Sequence, residues 1–150
     1  MKKVLILGAT GLIGNAISEL LEGKAEVIKA SFSHPENKVD ISEPESLKAL
    51  FEKVGKVDAI VCTAGMAEFF PWEQATDAQW DFGIKNKMMG QINTIRFGEK
   101  YVNDGGAIVL SSGVLAQYPM PGSGVLTTVN AAVEAAIKAS VTEIEGIRIN

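Results

Sequence analysis

A single cysteine, Cys62, occurs among the 150 residues. It excludes an intramolecular disulfide and suits a reducing, cytoplasmic setting. Positive charge is also scarce: 14 Lys and Arg against 18 Asp and Glu leave a net charge of −4, with no basic tract. Nucleic acid is therefore not an expected partner. Long apolar runs are missing. The run in "MKKVLILGATG" meets glycine after about five residues, short of the roughly 7–15 of a signal-peptide core and of the ~20 needed to cross a bilayer. Neither a leader nor a membrane partner is expected. No low-complexity linker or internal repeat breaks the chain, and no metal site is expected.

What is present is an ordinary globular composition, 47% hydrophobic and 21% charged, in a length that builds one domain with a proper core. "KKVLILGA" reads as a strand buried on both faces of a parallel sheet. "NAISELLEG" has helical periodicity and stops at Gly23. "AEVIKAS" is a second strand and "KVDIS" a short third. "EPESLKALFEKVG", 43–55, is an amphipathic helix with Pro44 in its first turn and Leu47, Leu50, Phe51 and Val54 on one face. "KVDAIVCTAG" is a fourth strand, a long helix runs over about 77–101, and "GGAIVLSSG" is a fifth strand. A helix over 124–140 and a sixth strand from Ile147 complete the pattern. Alternating strands and helices imply a doubly wound parallel α/β sheet in three αβα layers. The loops at 66–76 and 113–123 follow strand C-termini, the edge where such sheets bind ligands.

"GATGLIG", 8–14, lies between the first strand and the first helix. Glycines there allow a tight turn and let a pyrophosphate approach the backbone, while the helix start offers free N–H groups. Gly8, Thr10, Gly11, Leu12, Ile13 and Gly14 are the candidate phosphate-binding residues. The second strand ends in "KASFSH", without the acid that binds an NAD ribose. Ser31 and Ser33 are placed to bond a 2′-phosphate, and Lys29 or His34 to lend charge, a slight tilt toward NADP over NAD. Phe32 either stacks on adenine or packs locally. Asp40 lies near the adenine side or caps the next helix.

With these stretches in hand, the chain resembles the short-chain dehydrogenase/reductase family. "GATGLIG" is similar to its glycine turn, "VDI" (39–41, with Asp40 and Ile41) to its adenine-side segment, and "CTAG" (62–65, with Thr63, Ala64 and Gly65) to its "NNAG". "IVLSSG" (108–113) is similar to the strand bearing its catalytic Ser, and "GIRIN" (146–150) to its "GIRVN". The likeness is greatest to a subgroup of small bacterial members lacking the Tyr-x-x-x-Lys pair. It implies a Rossmann-type fold, NADP or NAD as cofactor, and hydride transfer to or from a small carbonyl or alcohol. It also implies a homodimer or homotetramer formed through the two long helices. Relatives continue with another strand and helix, so the chain is expected to stop short of the family's full length.

The resemblance implies a Ser at position 112, with Ser111 just before it. It places Leu126 where the family has its proton-donating Tyr, and Asn130 where it has Lys. Its conserved-helix Asn falls on Lys87, with Asn86 one residue earlier, so that Lys and Asn trade places between facing helices. Tyr118 is a candidate substitute acid in the loop above. The catalytic candidates are thus Ser112, Lys87, Asn130 and Tyr118. The alternatives are a non-catalytic dinucleotide-binding redox sensor or scaffold and, more remotely, a mononucleotide or flavin binder.

Overall fold

The structure is a computed structural model describing residues 1–150. The elements follow in chain order. They are β1 (Lys2–Leu7), α1 (Leu12–Leu21), β2 (Ala25–Ala30), α2 (Pro44–Val54), β3 (Val57–Cys62), α3 (Asp77–Gly83), α4 (Gly90–Gly98), β4 (Val102–Leu110), α5 (Gly124–Ser140) and β5 (Arg148–Ile149). The five strands form one sheet in the order β2-β1-β3-β4-β5, every pair parallel. Helices separate successive strands, as parallel pairing demands.

The alternation of side chains along each strand sorts the core into two layers. Leu5 and Leu7 of β1, Ile60 and Cys62 of β3, and Ile108 and Leu110 of β4 face α2, α4 and α5. There they join Leu47, Leu50, Phe51, Ile95 and Val133 in the main core. Val4 and Ile6 face the other way and meet Ile17 and Leu21 of α1. Each fully buried side chain of this size contributes about 1.5–3 kcal/mol.

Two expected elements come out differently. The third strand does not form: 38–42 makes a single bridge, Ser31 to Lys38. The cause is local, because the Asp40 carboxylate accepts from the Ser42 N–H (2.9 Å) and the Ser42 hydroxyl (2.6 Å). That side-chain turn bends the chain and drops Val39 and Ile41 into the core. The sheet thus has five strands rather than six.

The long helix over 77–101 is interrupted. It starts at Thr76, which forms a capping box with Gln79. It then widens into a π-helical segment, Ile84–Met89, before α4, and it closes in a 3-10 turn, Glu99–Tyr101. Such widened turns concentrate at functional sites, and this one carries Asn86 and Lys87. No helix is long and apolar enough to cross a membrane.

Candidate active site

β1 runs to β2 on one side and β3 lies on its other side, so the crevice between the ends of β1 and β3 is the switch point of the sheet. Gly8 follows β1 there with φ +88°; a Cβ on it would stand 2.7 Å from the Ala64 nitrogen and 2.9 Å from Thr63 Oγ1. Thr63 ties the strand ends together, its N–H and hydroxyl both donating to Leu7 O, at 2.9 and 3.2 Å. A Cβ on Gly14 would run into the Gly8 carbonyl. The first glycine therefore makes the turn and the last lets α1 sit on it. Gly11 begins α1 with no side-chain cap and no acid in the first turn. The first N–H groups, those of Leu12 and Ile13 among them, keep no side-chain partner.

A cleft of about 510 Å³ opens over this turn. Gly8, Thr10 and Gly11 form its floor, Thr63, Ala64, Gly65 and Asn86 one side, and Ser31, Phe32, Asp40 and Ile41 the other. Of the residues expected to bind cofactor, Leu12 and Ile13 project outward, 91% and 58% exposed, and offer backbone only. Gly14 lies beneath the turn. Ser33 stands at the rim, its hydroxyl 3.4 Å from that of Thr10. Phe32 is exposed at the mouth, with the Lys38 ammonium 5.2 Å from its ring centre. His34 is occupied locally, its Nδ1 accepting from the N–H groups of Glu36 and Asn37. Asp40 does not cap α2, which Glu43 precedes; it makes the turn with Ser42. The buried Ser31 Oγ has no hydrogen-bond partner. An orphaned hydroxyl in the wall, open glycine backbone and free helix N–H groups together fit a dinucleotide.

A second pocket, about 400 Å³, shares Gly65 and Met66 with the cleft and is also walled by Lys87, Ser112, Leu115, Leu126 and Asn130. The structure thus brings together three of the four catalytic candidates. Tyr118 is not among these walls and is 71% exposed on its loop. Leu126 occupies a wall with a side chain that holds no proton.

The π-helical segment aims two neighbouring residues at two different loops, those after β3 and β4. Asn86 Oδ1 accepts from the Met66 N–H at 2.7 Å. Lys87, 8% exposed, donates from Nζ to the Ser111 carbonyl at 2.5 Å and to Ser111 Oγ at 3.5 Å. No carboxylate pairs with it. Burial holds its amine below the usual lysine range, with Cys62 a smaller opposing influence. Burial also pushes the Cys62 thiol up, so Cys62 is a core residue rather than a nucleophile.

Two further residues hold the walls from behind, outside the lining of cleft and pocket. Gln91, fully buried, donates from Nε2 to Ala64 O (2.8 Å) and Ser111 Oγ (3.1 Å), and its Oε1 accepts from Ser111 N–H (3.1 Å). It thereby locks the end of β3 to the end of β4. Glu134 accepts the Ser112 hydroxyl at 2.7 Å through Oε1; Asn130 O lies 3.3 Å from the same hydroxyl. The legible signal was spacing: Gln91 is four residues after Lys87 and Glu134 four after Asn130, one helical turn each.

Comparison with known proteins identifies relatives of the same fold. The sequence profile described as enoyl-(acyl carrier protein) reductase matches residues 7–150. The crystal structure of protein lin1944 from Listeria innocua is 39% identical, with a TM-score of 0.96 over 100% of this chain and 76% of that one. A small-chain dehydrogenase solved in complex with NADPH is 30% identical, with a TM-score of 0.92 over 99% of this chain and 68% of that one. An uncharacterized oxidoreductase of Schizosaccharomyces pombe is 26% identical over 107 residues, 63% of this chain; the match spans 42% of that relative's length. By fold, by the geometry of its glycine turn and by sequence, the chain belongs to the short-chain dehydrogenase/reductase family.

Proposed function

We propose that the protein is a nicotinamide dinucleotide-dependent oxidoreductase acting on a small alcohol or carbonyl, with NADP(H) favoured over NAD(H). The observation that carries this reading is continuity. The glycine-floored cleft and the pocket walled by Ser112, Lys87 and Asn130 share Gly65 and Met66. A dinucleotide in the first therefore reaches the second. When bound, it supplies or accepts hydride.

The turn from Gly8 to Gly14 and the start of α1 hold the pyrophosphate, and Thr63, Ala64 and Gly65 line the path to the pocket. Ser31, with its unpartnered hydroxyl, follows the second strand, whose end carries no acid. The NADPH in a 30% identical relative supports the same choice. Phe32 offers a face to adenine. In the pocket, Asn130 bonds the ligand without adding charge. Lys87, its amine held on the Ser111 carbonyl, fixes the segment after β4 beside Ser112. The groove between α4 and α5, walled by Ile92, Ile95, Ala136 and Ile144, supports a homodimer or homotetramer.

The test is a fluorescence titration with NADPH and NADH, followed by oxidation of bound NADPH with a panel of simple carbonyls. Submicromolar to micromolar binding of NADPH, weaker binding of NADH and turnover are expected. Binding without turnover across the panel contradicts the catalytic half, and absence of binding contradicts the whole.

A further inference from the structure

We propose that Glu134 is the proton acceptor behind Ser112, a positioning residue that makes the Ser112 hydroxyl a base. The proposal rests on the dehydrogenase reading above and adds to it the route of the proton. In the pocket, Leu126 offers no proton-transfer group and the Lys87 amine is directed at Ser111. Ser112 is the hydroxyl in the wall, and its own hydrogen is already committed to Glu134 Oε1 at 2.7 Å. A hydroxyl that donates into a carboxylate has its lone pairs left for an incoming donor. The ligand it fits is an alcohol O–H.

Oxidation then balances simply. The alcohol proton passes to Ser112 Oγ as the Ser112 proton passes to Glu134 Oε1. The two electrons leave the carbinol carbon as hydride to the nicotinamide dinucleotide, and the C–O bond becomes C=O. Glu134 is half-buried and returns the proton to solvent. Reduction runs the same path backward.

No cation competes for the carboxylate. The charged residues on the elements packed against α5 are Asp77 and Asp81 of α3, Lys85 and Lys87 of the π-helical segment, and Arg96 of α4. None of them forms an ion pair with Glu134, nor does Lys138 one turn along α5.

Glu134→Gln separates proton uptake from geometry, because its amide oxygen still accepts from Ser112 but takes no proton. Three readouts decide. In the protein without ligand, the 13C carboxyl signal of Glu134, assigned by its absence in Glu134→Gln, is expected to shift in Ser112→Ala at neutral pH, since the hydrogen bond from Ser112 is gone. With NADP+ and a panel of primary and secondary alcohols, Glu134→Gln is expected to lower kcat by about 100- to 10,000-fold. NADPH affinity stays within about twofold, and the acid limb of the rate profile disappears; Glu134→Asp restores part of the rate.

An unmoved carboxyl signal, an unchanged kcat and pH profile in Glu134→Gln, or equal loss of kcat and NADPH affinity would overturn the proposal. Wild-type protein that binds NADPH but oxidises no alcohol overturns it too, leaving nucleotide binding intact. Failure to bind NADPH overturns the dehydrogenase reading itself.

Discussion

Gly65→Ala tests how tightly the two halves of the site are built onto each other. Gly65 has φ +128°, and a Cβ there would lie 2.7 Å from Lys87 Cδ and 3.2 Å from Lys87 Cα. The side-chain contact can give a little, but the backbone contact belongs to the π-helical segment. A disfavoured backbone conformation costs about 1–3 kcal/mol, and forcing a methyl into a packed site about another 1–3 kcal/mol. The sum is about 2–6 kcal/mol. Gly23→Ala is the control, because Gly23 also has positive φ (+71°) yet a Cβ there meets nothing within 4 Å. Urea unfolding of both variants separates conformational cost from crowding. Gly65→Ala is expected to lose at least about 1 kcal/mol more than Gly23→Ala, by the packing share just given. Its NADPH affinity is expected to fall as well, since Gly65 lines both cleft and pocket. Equal losses in the two variants, with NADPH affinity unchanged, would refute the reasoning.

Three other expectations follow from the same geometry. Gln91→Met keeps volume but deletes the bonds to Ala64 and Ser111; a loss of about 2–5 kcal/mol in urea unfolding is expected from the groups left unpaired. Lys87→Met tests burial of the amine. Because burial lowers the folded-state value, the unfolded chain binds more protons between that value and the unfolded one near ~10.4, and stability rises with pH across that window. Lys87→Met is therefore expected to stabilise the protein at neutral pH, with an advantage that shrinks as pH rises through the window; urea midpoints at several pH values check it. Leu126→Tyr with Asn130→Lys places a second proton donor and a charge in the pocket wall, and carbonyl reduction is expected to rise, measured by NADPH oxidation.

Much of this architecture is written in local pattern. The glycine turn is readable because strand, turn and helix follow one another directly, and the structure gives Gly8 and Gly14 separate steric reasons. α2 lies within one residue of its expected bounds at each end, because Pro44 and the 3.6-residue stripe of Leu47, Leu50 and Phe51 mark it from both sides. The third strand misled: "KVDIS" has a strand's alternation, but the Asp40–Ser42 turn replaces ladder bonds, and side-chain turns leave no periodicity. The π-helical widening at Ile84–Met89 is equally silent, since one extra residue per turn is invisible inside a long apolar pattern. Within that widening Asn86 accepts from the Met66 N–H and Lys87 donates to the Ser111 carbonyl. Gln91 and Glu134 went unread because a polar residue on a helix is usually solvated; only tertiary contact shows that one locks two strand ends and the other holds a hydroxyl.

The central claim, that the turn at Gly8–Gly14 binds a pyrophosphate, is tested most directly by titrating wild-type protein and Gly11→Asp with NADPH, following nicotinamide fluorescence. A carboxylate about 4 Å from a phosphate charge costs about 1–4 kcal/mol between water-like and protein-surface screening, so affinity is predicted to fall roughly 5- to 1000-fold, with the unfolding midpoint little changed. Equal affinity in the two proteins would contradict the account.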